Sequence, residues 1–222
     1  MKNILILILT IVCLTDLKGQ QILVEQSFNG NTSYGQHAKA IDSITELPDQ
    51  IQTALQVYLT DMFGSTFQNI NFSHGQKVNL KNYFSESNKA FNYQWLVPAY
   101  DLNYVLSDTT LGIKSYYVQI RLDDYGQLLT SNWPIKGYSN KEKFQSPSEI
   151  IKFALDQARS RGYLASEYSS DLKYNPDSKS LNWVFRFPKT LNADNKQFDV
   201  LEISLTSLKV VKEYSVMILT AY

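Results

Sequence analysis

A proline-started apolar helix followed by alternating strands occurs twice in this chain, and no other feature constrains the fold as strongly. The helices open at Pro48-Asp-Gln-Ile51, leading to Ala54-Leu55, and at Pro147-Ser-Glu-Ile150, leading to Ala154-Leu155. Each half continues into a strand that carries Trp and a downstream Pro, Trp95-Leu-Val-Pro98 and Trp183-Val-Phe-Arg-Phe-Pro188. Each closes on a tight hairpin. Ile120-Arg-Leu122 turns through Asp123-Asp-Tyr-Gly126 into Leu128-Leu129, and Ile203-Ser-Leu205 turns through Thr206-Ser-Leu208 into Val210-Val211. Pro48 to Ile120 spans 72 positions and Pro147 to Ile203 spans 56, so the first copy carries an insertion of about 16, placed in the polar stretch from Asn79 to Asn92.

Local signals agree with this division. Ile51, Ala54, Leu55, Tyr58, Leu59 and Met62 recur at helical spacing, which predicts a helix from about Pro48 to Met62 that stops at Gly64. Ser146-Pro147-Ser148-Glu149 sets a cap serine, a first-turn proline and a capping-box glutamate ahead of the stripe Ile151, Ala154, Leu155 and Ala158. Arg159 and Arg161 suit the negative end of that helix, and Gly162 closes it. Tyr117 to Leu122 and Phe198 to Leu205 alternate in the two-residue period of half-buried strands. Gln21 to Phe28 reads as a short strand, followed by turn residues from Asn29 to Gly35. Residues 134–145 are polar and lysine-bearing and read as a linker.

The N-terminus reads as an export signal. One Lys precedes an unbroken run of Ile, Leu, Thr, Val and Cys from Ile4 to Leu14, the length of a secretory core region and too short to span a bilayer. Cleavage near Gly19-Gln20 leaves 19 basic and 20 acidic residues and removes Cys13, the single cysteine; lipidation of Cys13 after an earlier cut is the alternative. A mature chain without cysteine is held by its core alone. No later run of 18 apolar residues is present, so no transmembrane anchor is expected after processing. The expected organisation is a signal peptide over 1–19, a strand-and-loop segment over 20–46, a first half over 47–133, the linker over 134–145 and a second half over 146–222.

Composition excludes several function classes. The 222 residues carry 21 basic and 21 acidic side chains, so no whole-chain field recruits nucleic acid. Two His and one Cys leave little for metal or thiol chemistry, and His37 and His74 have no partner at ligand spacing. No Gly-x-Ser-x-Gly elbow occurs; Ser33 with His37 reads as polar loop residues, and the Ser-x-x-Lys spacing of Ser170 and Lys173 as a chance match in a serine-rich chain. Nucleotide-binding glycine loops are absent too. The expectation is therefore a protein that is not an enzyme and has no cofactor.

One helix followed by an antiparallel meander ending in a Val-x-Ile-x-Leu-Asp-x-x-Gly-x-Leu hairpin resembles the PepSY domain, a small cystatin-like module. The resemblance is clearest over 146–216, through Ser146-Pro-Ser-Glu149, Ala154 and Trp183-Val184-Phe185, with a diverged first copy over 47–133. The hairpin pattern itself is better kept at Val118 to Leu129; in the second copy Ser207-Leu208 stands where the turn's Asp and Gly belong. The resemblance implies an α+β fold of two cystatin-like halves, each one helix packed on an antiparallel meander. It also implies a secreted or envelope module that restrains peptidases, and it brings no catalytic residues.

Tyr83, Phe84, Phe91, Tyr93, Trp95, Tyr100 and Tyr104 crowd one short stretch. A sheet with aromatics on both faces accounts for them, and so does a docking surface, where Tyr and Trp are enriched. The candidate binding surface is Trp95, Tyr93, Tyr100 and Tyr104 with the hairpin residues Leu122, Asp123, Asp124 and Tyr125. A protein or peptide partner, a secreted peptidase among the possibilities, is expected there. The alternatives are a ligand carrier or enzyme using the concave face of a cystatin-like sheet, and a structural component of a cell-surface assembly.

Overall fold

The computed structural model describes residues 21–27, 34–86, 97–191 and 195–219. The expected signal peptide with Cys13, and Tyr93 and Trp95 of the candidate surface, lie outside the described residues. The fold is mixed α+β with two sheets and few helices. Strands β1 (Val24–Glu25), β2 (Ala38–Ile41), β3 (Ile70–Val78), β4 (Tyr100–Asp108), β5 (Ile113–Leu122) and β6 (Leu128–Ser131) make the first sheet, in the order β1-β5-β4-β3-β2 with β6 also on β5. The second sheet is the meander β7 (Ser169–Asn175), β8 (Ser180–Leu191), β9 (Asn195–Ser204) and β10 (Val210–Leu219), ordered β10-β9-β8-β7. Helix α1 (Asp49–Phe63) precedes β3, the short α2 (Leu80–Glu86) lies in the β3–β4 connection, and α3 (Pro147–Ser160) precedes β7.

The two long helices form where local chemistry places them. The Ser146 side chain accepts from the Glu149 amide while the Glu149 carboxylate accepts from the Ser146 amide, and Pro147 begins α3. The Ser146 hydroxyl, donating to Glu149 Oε2 at 2.6 Å, and then the Ser146 amide hold the Glu149 carboxyl below its ordinary value. Gly64 ends α1 at φ +46°, and a Cβ there would fall 2.1 Å from the Ser139 carbonyl oxygen, so only glycine allows residue 139 to close over the helix end. Along α3 the fully buried residues are Ile150, Ala154 and Ala158; Ile151 and Leu155, expected in the stripe, pack partly at its flank.

Register explains both the core and its polar back. On β4 and β5, Tyr100 faces Leu122, Leu102 faces Ile120, Tyr104 faces Val118 and Leu106 faces Tyr116. These side chains share one core with Ile51, Leu55, Leu59 and Met62 of α1. In the second sheet Trp183, Phe185 and Phe187 lie with Leu201 and Ile203 in the same core, each aromatic burial contributing about 1.5–3 kcal/mol. The alternate positions form polar faces: Asp101, Asn103, Gln119 and Arg121 on the first sheet, Asp171, Asn182, Arg186 and Glu202 on the second.

Two sequence expectations change. The segment 134–145 is part of the core, because an aromatic chain runs from Phe63 to Trp133 at 4.8 Å, on to Tyr138 at 6.5 Å and to Phe144 at 6.0 Å. The Tyr138 hydroxyl also accepts from the Leu181 amide of β8. The segment 20–46 contributes strands to the first sheet rather than preceding it, and its first strand is only Val24–Glu25, paired in parallel with β5. That short strand reaches the second sheet too: the Leu23 carbonyl accepts from Ser170 Oγ, and Gln26 Nε2 donates to Asp171 Oδ1 at 3.3 Å.

Candidate functional site

The hairpin between β5 and β6 is built by one carboxylate. Asp123 Oδ1 accepts from the Tyr125 amide at 2.9 Å and the Gln127 amide at 2.8 Å, while the Gly126 amide bonds the Asp123 carbonyl. Gly126 has φ +83°, and a Cβ there would lie 3.1 Å from the Ala54 Cβ and 3.3 Å from Ile51 Cδ1. The Asp-x-x-Gly pattern is therefore required by turn conformation and by close packing on α1 together. Gln50 Nε2 donates to the Tyr125 carbonyl at 3.2 Å, tying the tip to the helix. Held on this frame, Tyr125 is 78% exposed and Asp124 is exposed. Val57, one turn beyond Ala54 on α1, is 54% exposed.

The other described residues of the expected surface do not lie there. Tyr100, Tyr104 and Leu122 are buried against the α1 side of the first sheet and cannot belong to a docking face. Their positions have the parity of Leu102 and Ile120, and a strand's two-residue period sends all of them inward together. Burial pushes the Tyr104 hydroxyl well above the ordinary phenol range, and among the described residues it has no hydrogen-bond partner. Crowded aromatics thus fill the core at Tyr100 and Tyr104. The β9–β10 turn, without Asp and Gly, closes through the Ser204 amide on the Lys209 carbonyl and the Lys209 amide on the Ser207 carbonyl.

The structure also forms a cleft of about 510 Å³ where the two polar sheet faces meet at β1. Asn103 and Gln119, directly opposed on β4 and β5, line it from the first sheet, and Asp171 and Arg186 from the second. Gln26 and Asn132 lie between: Gln26 Oε1 accepts from the Tyr117 amide at 3.1 Å, and Asn132 bridges the Gln119 amide and the Tyr117 carbonyl, each at 2.8 Å. Behind it Asp101, 3% exposed, accepts from Tyr34 Oη at 2.9 Å, Gln119 Nε2 at 2.7 Å and Arg121 Nε at 3.1 Å. A buried carboxylate with three donors is compensated. No local pattern announces this cleft, because its residues come from positions 26, 103, 119, 132, 171 and 186 and converge only through strand pairing.

A second recess, of about 540 Å³, lies between β2, β3 and α2. Lys39 and Lys77, direct cross-strand partners, line it with Lys81.

Neither cleft contains a nucleophile with its base. The Ser170 hydroxyl is committed to the Leu23 carbonyl, so its spacing to Lys173 serves structure. Ser73 Oγ lies 3.0 Å from His74 Nδ1, outside both recesses. Burial pushes the His74 imidazole below its ordinary value against the opposing charge of Asp101, whose two oxygens are already bonded. Among the described residues no group of three His, Cys, Asp or Glu is placed to hold a metal ion, and no helix is long and apolar enough to cross a membrane. No protein-family model matches the chain, and neither a curated protein nor a solved structure matches it.

Proposed function

We propose that this chain is an exported, non-catalytic binding module of two cystatin-like, PepSY-like halves that engages a secreted peptidase or another envelope protein. The repeat reading is supported by topology: α1 and α3 are each followed by four consecutive strands in meander order, β3 to β6 and β7 to β10. The β3–β4 connection, which holds α2, takes up the expected extra length. The observation that carries the binding reading is Tyr125, an aromatic ring 78% exposed on a turn already fixed by Asp123 and Gln50. A preordered aromatic loses little freedom on docking, which is the property of an interface anchor.

The test immobilises residues 20–222 as wild type and as Tyr125→Ala, and identifies by mass spectrometry what each retains from the native secreted and envelope fraction. The expected result is a peptidase or envelope protein enriched on the wild type and lost from the variant. Equal retention by both baits, or none by either, overturns the hairpin assignment.

A further inference from the structure

We propose that the cleft between the sheets is a binding site for a neutral, hydroxyl-rich ligand, a saccharide unit, with Asn103 as its central contact. This goes beyond the hairpin reading and does not depend on it. Asn103 is 5% exposed, lines the cleft and makes no side-chain hydrogen bond to any described residue. Its amide atoms are not among the fully buried unpartnered atoms of the described residues, so what exposure the side chain keeps lies at the carboxamide, open to the cleft. A ligand supplying one donor and one acceptor satisfies it.

The neighbours narrow the ligand class. Gln119, opposite Asn103, has its Nε2 committed to Asp101, which leaves Oε1 as an oriented acceptor. Gln26 and Asn132 are held by backbone groups, so the amides around the cleft are positioned before any ligand arrives. Charge cancels across it, since Arg186 Nη2 lies 3.7 Å from Asp171 Oδ2 and Glu25 is paired with Lys114 at 2.6 Å. That balance favours a neutral ligand over an anion or cation. Val24 is the one aliphatic and Tyr117 the one aromatic residue of the described lining, which offers no apolar pocket for a peptide side chain. Paired amides, an Arg–Asp couple and a single aromatic suit vicinal hydroxyls. The volume lies within the range of small-ligand sites.

The test records amide chemical shifts of the mature chain during titration with glucose, galactose, mannose and N-acetylglucosamine, each to about 50 mM, a range that detects millimolar affinity. The expected result is shifts clustered at Asn103, Gln119 and Arg186 with at least one sugar, and affinity lowered about tenfold in Asn103→Leu. Asn103→Leu is expected to keep the wild-type urea midpoint or raise it, because the open amide contributes nothing to the free fold. A lowered midpoint overturns the premise that the amide is unpaired. Clustered shifts with none of the four sugars, or with inorganic phosphate instead, overturn the ligand class. Tyr125→Ala is expected to bind sugar as the wild type does, so loss at one site leaves the other readable.

Discussion

Asp101 and Arg121 oppose one another across the β4–β5 ladder, with Arg121 Nε 3.1 Å from Asp101 Oδ2 and the carboxylate 3% exposed. The pair stands on the polar face of the first sheet, directly behind the cleft. It lets a charged residue occupy a central strand because Tyr34 and Gln119 supply the remaining donors.

Asp101→Asn keeps the shape of the group and removes its charge. Arg121 loses its counter-charge and one donor loses its acceptor, so a stability loss of about 2 kcal/mol is expected. Urea unfolding checks this: the midpoint should fall with an unchanged slope, and an unchanged midpoint would show that the pair contributes little.

Two glycines with the same backbone sign separate strain from contact. Gly126 at φ +83° faces Ala54 at 3.1 Å, while Gly137 at φ +87° has nothing within 4 Å of an added Cβ. Both substitutions to Ala incur about 1 kcal/mol for the left-handed conformation. Gly126→Ala is expected to cost more, and thermal melts of the two variants measure the difference. Equal losses would mean that α1 yields freely to the hairpin.

Acid stability should depend on Asp108. Burial opposes its charge, yet the Lys141 ammonium at 2.8 Å and two bonds from Thr110 outweigh that and hold the carboxyl below its ordinary value. A depressed carboxyl contributes stability above the unfolded value of about 4, and that contribution disappears as pH falls through the lower folded value. Lys141→Met is expected to lower stability at neutral pH and flatten the acid limb; urea midpoints collected from about pH 6 to about pH 2 read both effects.

Gln26 binds three partners at once, the Tyr117 amide, the Asp171 carboxylate and, through its carbonyl, Ser115 Oγ. Gln26→Ala removes the two side-chain bonds and is expected to destabilise the protein by about 1–3 kcal/mol. Hydrogen exchange should then rise at Tyr117 and along β7. Faster exchange confined to residues 21–27 would mean that β1 is a passenger on the sheets rather than a link between them.

Legibility in the sequence followed the range of the interaction. The capping box at Ser146 and Glu149, the stop at Gly64 and the Asp123 turn depend on residues a few positions apart, and each is found as expected. Strand alternation located Tyr117 to Leu122 inside β5 but left open which parity faced inward, and Tyr100, Tyr104 and Leu122 proved to be core. The polar run 134–145, read as a linker, gave no sign that its two aromatics, Tyr138 and Phe144, would reach the Trp133 ring and the edge of β8.

The sequence by itself determined the local elements: two long helices, one with a capping box and one stopped at Gly64, the two-residue period of the strands and a glycine-dependent hairpin, because each is set by steric and hydrogen-bonding preferences within one or two turns of chain. Only the tertiary structure decided that polar positions on β4, β5, β7 and β8 meet across β1 to form a cleft around Asn103. Register places these residues, and register depends on how a whole sheet buries its opposite face.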